Sequence, residues 1–192
     1  GTQMLAKGHD LPGLTLVAIS GVDESLYSVD FRAGERLAQL VVQVAGRAGR
    51  ADKAGVMLLQ THYPQHPLLA TLLREGYGAT ARQMLDERRS LGLPPYAHQA
   101  LLRVQAPKLE AVDAFLAAAA EALPAAEALR VRGPLPAPMP RRGGQHRGQL
   151  LLEADQRATL RGALAPWHAA LHALRRPRGL RWSLDVDPVD LY

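Results

Sequence analysis

Leu93-Pro-Pro-Tyr96 is the stretch that most limits what this chain can fold into. A residue before proline is pushed out of the α region, and a second proline has no N–H with which to continue a helix. Helical patterning that runs up to this point has to stop there. The 192 residues therefore divide into two predicted domains, 1–92 and 93–192. An apolar fraction of 47% supplies a core for each, although aromatics make up only 5%.

In the first half, the apolar run Leu14 to Ile19 has the character of a strand buried on both faces of a parallel sheet, and it predicts a central strand. Asp30 is placed to cap a helix whose apolar positions Phe31, Leu37, Val41 and Val44 recur at helical spacing. Ala51 to Gly55 is turn chemistry, and Val56 to Thr61 predicts a second strand. Strand, helix, strand makes a parallel βαβ crossover. Leu68, Leu69, Leu72 and Leu73 then form the apolar stripe of a further helix, and 79–91 continues helical.

The second half predicts strand 97–105, helix 108–123, strand 129–133, strand 147–153, helix 155–175 and strand 180–186. That order is β-α-β-β-α-β, the split βαβ arrangement of an α+β domain. Between its middle strands, Pro134 to Arg147 is stiff at the prolines and pliant at Gly143 and Gly144, with Arg141, Arg142, His146 and Arg147 near its tip. Such a basic finger suits a DNA backbone; a disordered surface hairpin would carry the same letters. Trp167 sits among Leu164, Leu171 and Leu174 as a core residue, and Asp185 and Asp187 are expected to pair with arginines or cap the strand end rather than hold magnesium.

Two arginines carry the chemistry of the first half. Gln43-Val-Ala-Gly-Arg-Ala-Gly-Arg50 closes the amphipathic helix, with Gly46 and Gly49 permitting close backbone approach and Arg47 and Arg50 offering planar forks to phosphate oxygens. A glycine-broken helix end with solvated arginines is the plain alternative. Upstream stands Gly1-Thr-Gln-Met-Leu-Ala-Lys-Gly-His-Asp10. The two stretches resemble the fifth and sixth motifs of superfamily 2 helicases. With Asp30-Phe-Arg-Ala-Gly-Glu-Arg36 between them, Gln60-Thr-His-Tyr-Pro64 after them and Trp182-Ser-Leu-Asp-Val-Asp-Pro-Val189 at the end, the chain resembles the primosomal replication-restart helicases, the PriA family. The branch-migrating RecG helicases share the two motifs but are not expected to share the linker or the tail.

The resemblance implies an α/β chain: a partial RecA-like helicase lobe followed by a ribosomal-protein-like C-terminal domain. It implies a piece of an ATP-dependent 3′ to 5′ DNA helicase that remodels stalled forks. Arg50 is then the arginine finger, Arg47 a second phosphate contact and Gln43 the group orienting water or γ-phosphate. Gly8 and Asp10 neighbour the nucleotide, and Thr2 and Lys7 hold the tracked strand. Arg157, with Arg161 one turn later, is implied in binding the acidic tail of single-stranded-DNA-binding protein; Asp155 is read as the helix cap that leaves Arg157 free, and a solvated arginine pair is the alternative. Forked and single-stranded DNA and other primosome proteins complete the implied partners, with no membrane. A non-catalytic DNA-binding or protein-docking chain is the rival reading.

Composition sets the remaining bounds. A formal charge of +5 suits phosphate or acidic peptide. No Gly-x-x-x-x-Gly-Lys-Ser/Thr loop is present, so ATP and magnesium are expected to be held mainly by another lobe. The chain contains no cysteine, so the zinc module of the resembled family has no ligands here. His62 and His66 have helical metal spacing, but Pro64 lies between them and zinc is not expected. With neither signal peptide nor apolar span, a cytoplasmic setting is expected.

Overall fold

Prolines and leucines, rather than the motifs, define the elements of the first unit. The computed structural model describes residues 14–46, 55–126 and 128–191, and the chain divides into compact units at 1–87 and 88–192. In the first, β1 (Leu16–Ile19) pairs in parallel with β2 (Val56–Leu59), Leu16 opposite Val56 and Ile19 opposite Leu59. Four helices follow the chain: α1 (Val22–Leu26), α2 (Ala33–Ala45), α3 (Pro67–Glu75) and α4 (Tyr77–Ser90). Val22, Leu37, Ala38, Val41, Leu68, Leu69 and Leu72 form the core, with Ile19, Met57 and Leu59 packed against it from the sheet. The expected βαβ unit is therefore present.

Two expectations in this unit are corrected. The run 14–19 is not buried on both faces: Leu16, Val56 and Leu58 are 55%, 53% and 53% exposed. The sheet has two strands among the described residues and only one covered face, so alternation decides which residues are buried. Leu73 is also exposed, because at ~100° per residue it lies about 140° around the helix from Leu68, beyond the buried arc. Asp30 is a further correction: the N-cap of α2 is Arg32, without a side-chain cap, and Asp30 lies two residues before it, where its carboxylate accepts the Arg32 N–H at 2.9 Å and pairs with the Arg36 guanidinium. Pro67 opens α3 at a position that needs no N–H, while the His66 Nδ1 accepts from the Leu68 N–H at 3.3 Å.

The second unit has the expected β-α-β-β-α-β order: β3 (His98–Ala106), α5 (Leu109–Glu121), β4 (Leu129–Arg142), β5 (Gln145–Ala154), α6 (Arg157–Ala173) and β6 (Arg181–Val186). Its sheet is antiparallel throughout, in the order β4-β5-β3-β6. Both helices lie on one face. Ala100, Leu102, Val104, Leu150 and Leu152 meet Val112, Phe115 and Leu116 from α5 and Leu160, Trp167 and Leu171 from α6. Trp167 is fully buried and its Nε1–H donates to the Ala119 carbonyl at 2.7 Å, tying α6 to α5. Gly148 makes room for α5: a Cβ there would stand 2.7 Å from Leu116 Cδ1 and 2.8 Å from Val112 Cγ1.

The finger is the main departure. β4 does not stop at Gly133 but continues to Arg142, pairing with β5 through register shifts after Arg132 and Pro136. Pro134, Pro136, Pro138 and Pro140 fall at and between these register shifts, where the regular ladder is interrupted. Since β4 is an edge strand, its outer side has no ladder to lose. Gly143 and Gly144, at φ 56° and 75°, turn the chain back into β5 as a two-residue hairpin demands. Among the described residues, no helix is long and apolar enough to cross a membrane.

Trp167→Ala should destabilise the second unit by about 3–5 kcal/mol through lost burial and the cavity left behind. Ala169→Lys, at an exposed position of α6, should stay within about 0.5 kcal/mol of the parent in urea unfolding.

Candidate nucleic-acid interface

Because even-numbered residues of β3 and β5 face the helices, the odd-numbered ones line the opposite face in rows set by the strand register. The first row is Arg147, Gln105 and Arg181 across β5, β3 and β6. Next come Leu135, Gln149, Arg103 and Ser183, then Arg132, Leu151, Leu101 and Asp185, and finally Arg130, Glu153 and Gln99. Strand spacing puts the Cα atoms of Arg147 and Arg181 roughly 10 Å apart with Gln105 between them. None of these rows contains an aromatic side chain.

Carboxylates sort the arginines. Buried Glu153 pairs with Arg132 and accepts from Gln99 Nε2 at 2.9 Å. Arg130 donates to Asp155 at 2.7 Å, and this bond, reinforced by the guanidinium charge, holds the Asp155 carboxyl below its usual range. Arg103 donates to Asp185 at 3.1 Å and to the Asp190 carbonyl at 2.7 Å. Arg157 reaches Asp187 at 3.3 Å. At the other end of the sheet, Arg147 and Arg181 have no such partner among the described residues, and neither have Arg141 and Arg142, exposed beside the hairpin turn.

Arg147 and Arg181, with Arg103, Gln105, Gln149 and Ser183, line a cleft of about 210 Å³. Arg103 Nε and Gln149 Oε1 are buried there without a hydrogen-bond partner. Buried polar atoms are nearly always satisfied, so the orphaned Arg103 Nε–H, a donor beside the Arg147 and Arg181 guanidinium groups, marks a place where an anionic group can be received, whereas Gln149 Oε1, an acceptor, calls for a donor. Donors of this kind position a phosphate backbone.

The sequence-expected residues fall into three groups. Arg147 stands in the cleft and Arg141 and Arg142 at the hairpin turn, so these three share one end of the sheet. Arg157 and Arg161 lie on the exposed first turns of α6, but Arg157 is not left free: Asp155, expected to cap the helix, is taken by Arg130, and Asp187 occupies Arg157 instead. Asp185 and Asp187 pair with arginines, as expected. Gln43 is exposed in the last turn of α2. Thr2, Lys7, Gly8, Asp10, Arg47 and Arg50 lie outside the described residues.

His62 Nδ1 is bonded to Asp23 at 2.7 Å, and no group of three metal-ligating side chains occurs among the described residues. Arg103, Gln105, Arg181 and Ser183 were not legible as site residues. Their period-two polarity is visible in each strand, but the register that joins β6 to β5 through β3 is not local.

Residues 89–189 match the family described as the primosomal protein N C-terminal domain. The chain is 51% identical over its whole length to the replication restart protein PriA of Haemophilus influenzae, covering 26% of that protein. It is 36% identical to the replication restart protein PriA of Treponema pallidum, covering 29% of it, and 33% identical over 85% of its own length to that of Bacillus subtilis, covering 21%. It thus spans about a quarter of the length of these relatives.

Replacing Arg147 and Arg181 together by alanine should lower the salt dependence of single-stranded DNA binding by about 1.4 in log–log slope, at ~0.7 per phosphate contact. Arg132→Ala should leave the slope unchanged, since Glu153 already offsets its charge. Fluorescence anisotropy across a sodium chloride series reads both.

Proposed function

Since this chain belongs to the primosomal protein N (PriA) family, we propose that it is the C-terminal part of an ATP-dependent 3′ to 5′ DNA helicase that remodels stalled forks in replication restart. The observation that carries this reading is the unpaired Arg147 and Arg181 across a cleft with orphaned polar atoms, within the residues the family match covers. The second unit grips the backbone of forked or single-stranded DNA through Arg147 and Arg181, with Arg141 and Arg142 extending the contact along the hairpin. Affinity there is electrostatic and insensitive to sequence.

The catalytic contribution belongs to the first unit. Arg50 stabilises charge on the γ-phosphate oxygens as they separate, Arg47 holds a second phosphate oxygen and Gln43 orients the attacking water. Gly8 and Asp10 neighbour the nucleotide, while Thr2 and Lys7 track the strand. ATP and magnesium are held mainly by residues this chain does not contain, because it has no phosphate loop. Zinc has no thiolate ligand here. The protein works in the cytoplasm with other primosome proteins.

The acidic tail of single-stranded-DNA-binding protein docks at Arg157 and Arg161 by displacing Asp187. A terminal carboxylate matches the guanidinium of Arg157, and Arg161 adds a second positive charge one turn later.

Two measurements test these assignments. The chain alone is expected to show no DNA-stimulated ATP hydrolysis, whereas Arg50→Ala at the matching position of the intact restart protein should reduce kcat by about 10³ or more with nucleotide binding little affected. Equal losses of binding and turnover would assign Arg50 a ground-state role. For the tail site, Asp187→Asn should tighten binding of a fluorescent acidic peptide by freeing Arg157, and Arg157→Ala should abolish it. Indifference to both changes removes Arg157 from the site.

A further inference from the structure

The carboxyl ends of the parallel strands β1 and β2 lead into two short segments, Gly21 to Ser28 and Gln60 to His66, that meet around one carboxylate. Asp23 accepts from the Thr61 hydroxyl, from the His62 N–H at 3.1 Å and from His62 Nδ1 at 2.7 Å. Thr61 Oγ1 accepts in turn from the Tyr63 N–H at 2.9 Å, and the Tyr27 N–H bonds to the Asp23 carbonyl at 3.1 Å. Segments nearly forty residues apart are thereby fixed to each other. The three donors also hold the Asp23 carboxyl below its ordinary range, the Thr61 hydroxyl contributing most.

This network holds two aromatic rings in solvent. Tyr27 is 60% exposed and Tyr63 49% exposed, with ring centroids 4.7 Å apart and planes inclined at 63°. His66 lies edge-on to Tyr27 at 5.8 Å. The phenolic hydroxyls of both tyrosines have no partner among the described residues. The His62 side chain is 89% exposed, and its Nδ1–H is committed to Asp23, so Nε2 faces solvent as an acceptor when the ring is neutral and a donor when it is protonated. In open α/β sheets the carboxyl ends of the strands are where ligands bind. Exposed aromatic faces held in place lose little freedom on stacking, and every nucleobase has a face to offer.

We propose that Tyr27 and Tyr63 form a stacking platform for an unpaired base of single-stranded DNA, with the anchored His62 beside it as a polar contact. The proposal rests on the DNA-binding reading above and adds base stacking to the backbone contacts proposed for the second unit. Asp23 and Thr61 are positioning residues: they fix the loops that hold the rings and do not themselves touch the base.

The test uses this chain and two fluorescein-labelled oligonucleotides of equal length, one of thymidines and one with the central bases removed but every phosphate kept. The wild-type chain should bind the thymidine strand about tenfold more tightly than the abasic one. Tyr27→Ala and Tyr63→Ala should each remove most of that preference while leaving abasic affinity and salt slope unchanged, and Tyr→Phe at either position should keep it. Equal wild-type affinity for the two strands would overturn the platform, whatever the variants do, while leaving backbone binding intact. Alanine variants that retain the preference, or that weaken both strands alike with the fold preserved by circular dichroism, would also overturn it. Failure of the wild type to bind either strand would remove the DNA-binding reading and the platform together.

Discussion

The second unit depends on its two helices covering one face of the sheet and leaving the other to side chains alone. With α5 seated on Gly148 and α6 pinned to α5 through Trp167, the even positions of β3 and β5 from Ala100 to Ala106 and from Gly148 to Ala154 pack toward the helices, while the odd positions are mostly polar, with Leu101 a buried exception. Burial of the helical face provides the stability, at about 25 cal/mol per Å² of apolar surface removed from water. The opposite face is thereby free to carry polar groups. Function and stability are thus assigned to alternate residues of the same strands.

On that free face the carboxylates do the sorting. Glu153 is buried and would be costly without Arg132 and Gln99, since a desolvated charge needs a partner. Asp155, Asp185, Asp187 and Asp190 neutralise Arg130, Arg103 and Arg157. On this face, Arg141, Arg142, Arg147 and Arg181 at the hairpin end have no carboxylate partner among the described residues. On this face of the sheet the positive charge is therefore local rather than uniform.

The first unit uses carboxylates differently. Asp30 and Asp23 each close a loop by collecting backbone and side-chain donors, one ahead of α2 and one at the carboxyl ends of the strands. Each lets a short irregular segment hold a fixed shape without its own hydrophobic core. Tyr27 and Tyr63 are consequently held at the surface by hydrogen bonds to their backbones and to neighbouring loop residues, not by burial of their rings.

Much of this was legible in the sequence because it rests on local periodicity. The βαβ of the first half, the β-α-β-β-α-β order of the second and the core role of Trp167 all follow from spacing along one element. Arg147 was legible too, as the polar member of an alternating strand beside Gln149. The full reach of β4 was not: four prolines argue for an irregular finger unless the strand is known to lie at an edge, and strand order is a non-local property. The same applies to Arg181, which joins Arg147 only through the register of β3, and to Arg157, whose partner Asp187 is thirty residues away. The sequence by itself determined which faces are apolar and where guanidinium groups occur. Only the tertiary structure decided which of those groups are neutralised, because ion pairing depends on distances of a few ångströms between strands that the chain order does not place side by side.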